Sequence, residues 1–398
     1  MTTPWLDVIG IGEDGLDGLA PAARARLEAA EVIVGGPRHH ALVPELAAER
    51  IEWPSPFREL AEELETMRGR RVAVLVTGDP LWYSAGALYQ RRFSPEEILY
   101  HPQLSAFQLA AVRMKWSLAD VETLTIHGRP AEQAIPYFGP GQRLLILTED
   151  GSSPATIARL LTENGLGPSR LTVLGAMGGP GESRIEGTAA DWNAQAPDFH
   201  LLAVECIAAP GAHVPPRTGL PDDAFTHDGK MTKREIRALT LSALAPRRGE
   251  LLWDIGLGCG SVAIEWMRAD RDMRAIGLEP SSERRAMAAA NATRLGAPRL
   301  DIRPDPAPAA LAGLPAPDAI FIGGGLSEVT AEAALDALKP GGRLVANAVT
   351  LESEAVLATL YARHGGDLTR IAISRAQPVG RRTGWKPAMP VTQWSLSL

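Results

Sequence analysis

The chain has 398 residues, too many for one comfortable hydrophobic core, so two domains are expected. Hydrophobic residues make up 45% and charged residues 22%, a globular balance that excludes a disordered chain. A net charge of −7 excludes a general nucleic-acid binder, which needs a basic face.

No apolar stretch is long enough to span a bilayer, so no membrane partner is expected. The first residues run straight into a strand with no signal-peptide pattern, and the expected location is the cytoplasm. Two distant cysteines, Cys206 and Cys259, point to neither a disulfide framework nor a zinc site.

Short apolar runs alternate with amphipathic stretches along most of the chain, the pattern of α/β architecture. In the first half, strands are expected at Trp5–Ile9, Val32–Val34, Val72–Val76, Leu144–Leu147, Leu171–Leu174 and His200–Cys206. Helices are expected over Pro21–Ala30, Phe57–Met67, Ala106–Met114 and Pro154–Thr162. The first strand enters VIGIGEDGLDGL, whose Gly10, Gly12, Gly15 and Gly18 match no standard phosphate-binding spacing. The strand at Val72 ends in Gly78-Asp79-Pro80, a tight turn that leaves an acid at the strand tip. Ser105 stands where a helix N-cap belongs, and AMGGPGESRIEG from Ala176 supplies a further loop.

Between Ile207 and Phe225 prolines and glycines break this rhythm, and a linker is placed at 209–221 between domains 1–208 and 222–398. Beyond it a helix is expected at Lys233–Leu244. Strands follow at Leu251–Ile255, Ala275–Leu278, Ala319–Ile322, Gly342–Val345, Leu368–Ile373 and Pro390–Leu396. The strand ending at Ile255 leads into GLGCGS, where glycines would expose backbone N–H groups and a helix N-terminus to a ligand. Ser261 stands where the dinucleotide fingerprint needs its third glycine. What remains is Asp254 before three alternating glycines, with Glu279 at the next strand end, where a carboxylate can accept bonds from ribose hydroxyls. This arrangement suits S-adenosylmethionine (SAM), which has a ribose but no phosphate. A plain turn and an NAD-type loop are the competing readings.

LKPGGRLVANAV, from Leu338 to Val349, is similar to a turn and strand of Rossmann-like methyltransferases. DDAFTHDGKMTKREIRAL from Asp222, PDPAPAALAGLPAPDAIFIGGG from Pro304 and GRRTGWKPAMPV from Gly380 extend the likeness. Together they make nearly all of 222–398 resemble the decarboxylating precorrin methyltransferase domain of corrin-ring biosynthesis. By that resemblance Thr232, Asp254, Gly256, Leu257, Gly258, Cys259, Gly260, Glu279 and Ala307 would line a SAM pocket. The loops of the first half, over about Leu6 to Ala208, resemble the tetrapyrrole methylase family. That likeness would place Gly78, Asp79, Ser105, Ala106, Met177 and Ala203 around SAM, and Gly10 and Gly12 on the floor of a substrate trough. The implied fold class is α/β: an N-terminal two-lobed tetrapyrrole methylase fold, then a C-terminal Rossmann-like class I SAM methyltransferase fold.

Jointly the resemblances imply methylation of precorrin-6B (precorrin-6Y) at C5 by the first half and at C15 by the second. The second half would also remove the C12 acetate carboxyl, giving precorrin-8X in aerobic cobalamin biosynthesis. They imply two SAM per chain, a small-molecule tetrapyrrole substrate and a homo-oligomer. The alternatives are a two-domain methyltransferase acting on another tetrapyrrole, and a non-catalytic SAM-binding sensor.

The chemistry asks mainly for positioning, since the methyl of SAM is already activated and orientation alone can supply ~7–11 kcal/mol. The conjugated macrocycle is its own electron sink for loss of CO₂, so neither a second cofactor nor a metal is expected. Its carboxylates call for local cations. Arg38, His39, His40, Arg113 and Lys115 are candidates in the first half, and Lys230, Lys233, Arg381, Arg382 and Lys386 in the second. Arg382 and Gly323 are the candidate substrate-binding residues there. His227, Asp228 and Lys230 are candidate proton-transfer groups, with loop capping the equal alternative for the first two. Cys259 is expected as a small packing side chain.

Overall fold

The computed structural model describes residues 4–54 and 59–398. It divides into two compact units, Met1–Ala131 with Phe138–Val214, and Glu132–Tyr137 with Pro215–Leu398.

The first unit holds two five-stranded sheets. One is all parallel, with β1 (Leu6–Ile11), β2 (Val32–Gly35), β3 (Glu49–Glu52), β4 (Val72–Thr77) and β5 (Ile98–His101) in the order β3-β2-β4-β1-β5. β1 is buried along its whole length, as expected for a central parallel strand covered on both faces. β1 and β4 run in register from Leu6↔Val72 to Ile11↔Thr77. That register brings Gly12 and Gly78 out of the sheet side by side, where the Gly78 N–H donates to the Ile11 carbonyl at 3.2 Å. The other sheet contains β6 (Glu122–Thr125), β7 (Arg143–Leu147), β8 (Arg170–Gly175), β9 (Ser183–Thr188) and β10 (His200–Glu205) in the order β6-β7-β10-β8-β9. Only its β6–β7 pair is parallel.

In the second unit β11 (Leu251–Ile255), β12 (Arg274–Leu278), β13 (Asp301–Arg303), β14 (Ala319–Ile322), β15 (Arg343–Ala348) and β16 (Asp367–Ile371) build most of a seven-stranded sheet. A hairpin of β17 (Ser374–Val379) and β18 (Arg382–Pro387) precedes the last strand, β19 (Val391–Ser397). The sheet order is β13-β12-β11-β14-β15-β19-β16, with β19 antiparallel to both neighbours. The chain winds outward from β11 to β13, then returns to β14 on the other side. This reversal leaves a crevice at the carboxyl ends of β11 and β14. The helix Ser261–Ala269 packs under it with nearly every residue buried, Trp266 and Val262 among them.

The stretch 209–221 is built into the fold. Ala209 N–H donates to the Gly165 carbonyl at 2.9 Å in the first unit. In the second, Leu220 is fully buried, the Gly219 and Leu220 N–H groups bond to Glu265 at 2.7 and 3.0 Å, and Arg268 Nε donates to the Arg217 carbonyl at 2.9 Å. Proline and glycine content suggested a tether, but the buried carboxylate of Glu265 gives these backbone donors a partner.

Several elements escape the sequence pattern. β3, β5, β6 and β13 span only three or four residues, too short for a period to emerge. β9 sits at a sheet edge, and β17 and β18 are exposed almost throughout, so neither shows the alternation of a half-buried strand. The helix expected over 57–67 runs from Leu60 to Glu65, and residues 57 and 58 lie outside the described residues.

Candidate functional site

In the second unit the glycine loop after β11 forms the floor of a cleft of about 540 Å³. Gly256, Gly258 and Gly260 all have positive φ, at 78°, 57° and 83°. A Cβ on Gly256 would lie 2.5 Å from the Gly324 nitrogen, so the loops after β11 and β14 approach as bare backbone. Above Gly258 the nearest atom to such a Cβ is the Lys230 carbonyl oxygen at 3.8 Å, and the space opens into the cleft. Lys230, Thr232, Asp254, Leu257, Cys259 and Gly323 share this lining, and Ile373, Met389 and Val391 form the facing wall.

Two carboxylates shape the floor. Asp254 Oδ2 accepts from the Ala263 N–H at 3.1 Å, while Oδ1 is buried without a partner. Burial pushes its carboxyl up to about 8, partly opposed by the Ala263 bond and reinforced by the charge of Glu279. Glu279 accepts from the Gly258 N–H at 2.9 Å and the Ser281 N–H at 3.0 Å. The segment carrying Thr232 is held from behind by Arg237. This guanidinium donates to the Thr232 carbonyl at 2.8 Å and to Glu265 at 2.6 Å in a fully buried ion pair.

The first unit has a tighter cleft, about 90 Å³, where β1 and β4 end. Gly12, Gly78, Ala106 and Met177 line it together with Glu13, Arg38 and Phe199. A Cβ on Gly78 would meet Ser105 Cα at 2.8 Å, so here too two loops touch through backbone.

The chain matches two families in succession, the tetrapyrrole (corrin/porphyrin) methylases over residues 6–192 and the precorrin methyltransferase domain over 223–398. A precorrin-6Y C(5,15)-methyltransferase [decarboxylating] from Sinorhizobium sp. is 51% identical over 399 residues, covering 99% of this chain and 97% of that protein. The chain belongs to this family. A Mycobacterium tuberculosis relative of the same description is 41% identical, covering 98% of this chain and 99% of its own length. A cobalt-precorrin-6B C(15)-methyltransferase (decarboxylating) from Salmonella typhimurium is 33% identical over 167 residues, 40% of this chain and 85% of that protein. The family's reaction is SAM-dependent methylation of precorrin-6Y at C5 and C15 with decarboxylation, in cobalamin biosynthesis.

The expected site residues fall into three groups. Thr232, Asp254, Gly256, Leu257, Gly258, Cys259 and Gly323 meet at the larger cleft, and Gly12, Gly78, Ala106 and Met177 at the smaller one. Glu279 and Gly260 support the loop from beside it: Gly260 is the N-cap of the helix Ser261–Ala269.

The remainder lie outside the two cleft linings. Ala307 packs against the apolar core around Leu311 and Ile320, away from the lining. Ala203 is buried in the sheet core with Phe107 and Leu145. A Cβ on Gly10 would lie 1.8 Å from the Gly78 carbonyl oxygen, so that glycine lets the loop after β4 fold closely over β1. Asp79 Oδ1 accepts the Leu81 N–H at 2.8 Å, which is turn chemistry. Ser105 donates its N–H to Gln108 Oε1 at 2.8 Å as part of a helix cap. Arg382 lies in the exposed hairpin, opposite Val379.

Of the proton-transfer candidates, only Lys230 lines the cleft. His227 Nδ1 accepts the Gly229 N–H at 2.9 Å, and Asp228 pairs with Arg284 at 2.8 Å and accepts the Lys230 N–H at 3.0 Å. Both shape the loop. The Cys259 thiol is raised by burial, consistent with an inert packing side chain. Among the first-half cations, His39 is buried and pushed down to about 4 by desolvation, while Arg113 is committed to Glu182.

Some lining residues carried no sequence signal. Phe321 lies in a strand interior, and Ile373 and Met389 sit at the roots of the hairpin. Glu13 did carry one: a charge directly after Gly12, inside a glycine loop.

Proposed function

We propose that the two transfers are divided between the two units, with the second unit methylating C15 and removing the C12 acetate carboxyl, and the first methylating C5. The product would be precorrin-8X, and each unit would hold its own SAM. The observation that carries this reading is that each unit has its own glycine-floored cleft at parallel strand ends. The Salmonella C(15) relative, matching only 40% of this chain, agrees with one half sufficing for that step.

The second cleft suits the cofactor on its own chemistry. Asp254 Oδ1 is a buried acceptor lacking a donor, which an ammonium or hydroxyl would satisfy. Glu279 stands at the tip of the neighbouring strand to accept from ribose hydroxyls, and the space above Gly258 lets a flat group rest on backbone. When bound, SAM supplies a methyl activated on its sulfonium. The chain's residues hold and orient: Arg237 fixes the Thr232 segment, and Ile373, Met389 and Val391 give the cleft apolar lining. Lys230 and Lys233 line the same cleft and offer cations to a carboxylate arm, and Arg375, Arg381, Arg382 and Lys386 make the hairpin beside it basic.

The first cleft, at about 90 Å³ against about 540 Å³, is too tight as it stands to receive the same cofactor. Its opening is therefore part of the proposal. Titration with S-adenosylhomocysteine in the presence of tetrapyrrole should show two sites per chain, and a single site would overturn the division. We also read the enzyme as a cytoplasmic homo-oligomer, to be checked by fractionation and by light scattering.

A further inference from the structure

One side chain closes the first unit's cleft. Arg38 reaches from the short helix Pro37–Ala41 into the space beside Gly12 and Gly78. One terminal nitrogen donates to the Glu13 carboxylate and the other to the Thr77 hydroxyl at 3.1 Å. The guanidinium carbon lies 3.9 Å from the centre of the Phe199 ring. Glu13 and Thr77 follow and end strands of the first sheet, whereas Phe199 directly precedes β10 of the second, so this contact ties the two lobes of the unit together.

The bonding of Arg38 is incomplete. Its Nε is buried and has no hydrogen-bond partner. Arg113, on a nearby helix, shows what a satisfied guanidinium looks like: Nε and a terminal nitrogen each donate to Glu182 at 2.8 Å. Arg38 uses its two terminal nitrogens on separate partners, so the edge made of Nε and the nitrogen that holds Glu13 is only half used. An unmade bond at a buried charged donor is costly, and the edge of Nε plus one terminal nitrogen is the one a carboxylate takes bidentately.

We propose that Arg38 is the residue by which the first unit selects its substrate, with an acetate or propionate carboxylate of the tetrapyrrole replacing Glu13. Glu13 holds the guanidinium in reserve, and the swing toward the incoming carboxylate frees the space between the lobes. This rests on the assignment of the C5 transfer to the first unit.

The test uses the full chain and a substrate already methylated at C15 and decarboxylated, so that only the C5 step is read. Arg38→Gln should raise KM for that step about 10- to 100-fold, the loss of a charge-assisted pair, with kcat changed less than about threefold. Arg38→Lys, which keeps the charge but loses the fork, should recover only part of this. Glu13→Gln, which removes the competing anion, should lower KM. As a readout apart from turnover, the dissociation constant of an octacarboxylic porphyrin, followed by its fluorescence, should rise with Arg38→Gln and fall with Glu13→Gln. An unchanged KM in Arg38→Gln would overturn the role of Arg38 and leave the division of labour standing. So would a rise in KM with Glu13→Gln equal to that with Arg38→Gln, because the pair would then be merely structural. If Arg38→Gln instead impaired the C15 transfer, the assignment of the units would fall, and this inference with it.

Discussion

Replacing Asp254 with asparagine should change how the stability of the second unit depends on pH. The buried carboxyl is pushed from 3.8 up to about 8 in the folded chain. Between those values the folded protein keeps a proton that the unfolded chain has lost, so this group's contribution is fully present below the lower value. It fades as pH rises toward the upper one. Each pH unit in that window removes ~1.4 kcal/mol, and the step from about pH 5 to about pH 7.5 removes ~3 kcal/mol. An amide has no such titration. Asp254→Asn should therefore gain on the wild type as pH rises, whatever its stability at pH 5. For a unit of this size the gap in melting temperature should widen by ~6–12 °C over that step. Scanning calorimetry of the full chain is the suitable assay, because two units need not melt together. A gap equal at both pH values would refute the buried, proton-holding carboxyl. The same variant should bind S-adenosylhomocysteine about tenfold more weakly, since an amide cannot give up a proton on ligand binding to become the carboxylate that meets an ammonium.

Three further outcomes follow from the geometry. Gly256→Ala sets a methyl 2.5 Å from the Gly324 nitrogen at a positive φ, and chemical denaturation should show a loss of ~2 kcal/mol or more. Glu265→Ala strands the buried Arg237 and two backbone N–H groups, so a loss of ~3–5 kcal/mol is expected, and a loss under about 1 kcal/mol would contradict the ion pair's role. Gly258→Asn should be tolerated by the fold, because asparagine accepts left-handed backbone and the position faces open space, yet should block binding in the second cleft.

Much of the fold was legible because parallel strands buried on both faces read as apolar runs. β11 and β14 match their expected bounds, as does the helix Ala106–Met114. The short and exposed strands were not legible, since without one buried face there is no period to see. The site divided along a similar line. The glycines at 256, 258 and 78 were visible as residues, and their positive φ angles give the physical reason. Contacts set by tertiary approach were hidden. The burial of Ala203, the close approach of the Gly78 loop to Gly10 and the partnering of Asp228 with Arg284 depend on segments far apart in sequence. The hairpin beside the larger cleft shows no amphipathic pattern because both its faces meet solvent.

The division of labour is tested most directly with Gly258→Asn, given precorrin-6Y in one reaction and its C15-methylated, decarboxylated form in another, with products weighed by mass spectrometry. Neither a methyl at C15 nor CO₂ release is expected from the first substrate, and C5 methylation of the second is expected at the wild-type rate. Loss of both transfers, or survival of both, would contradict it.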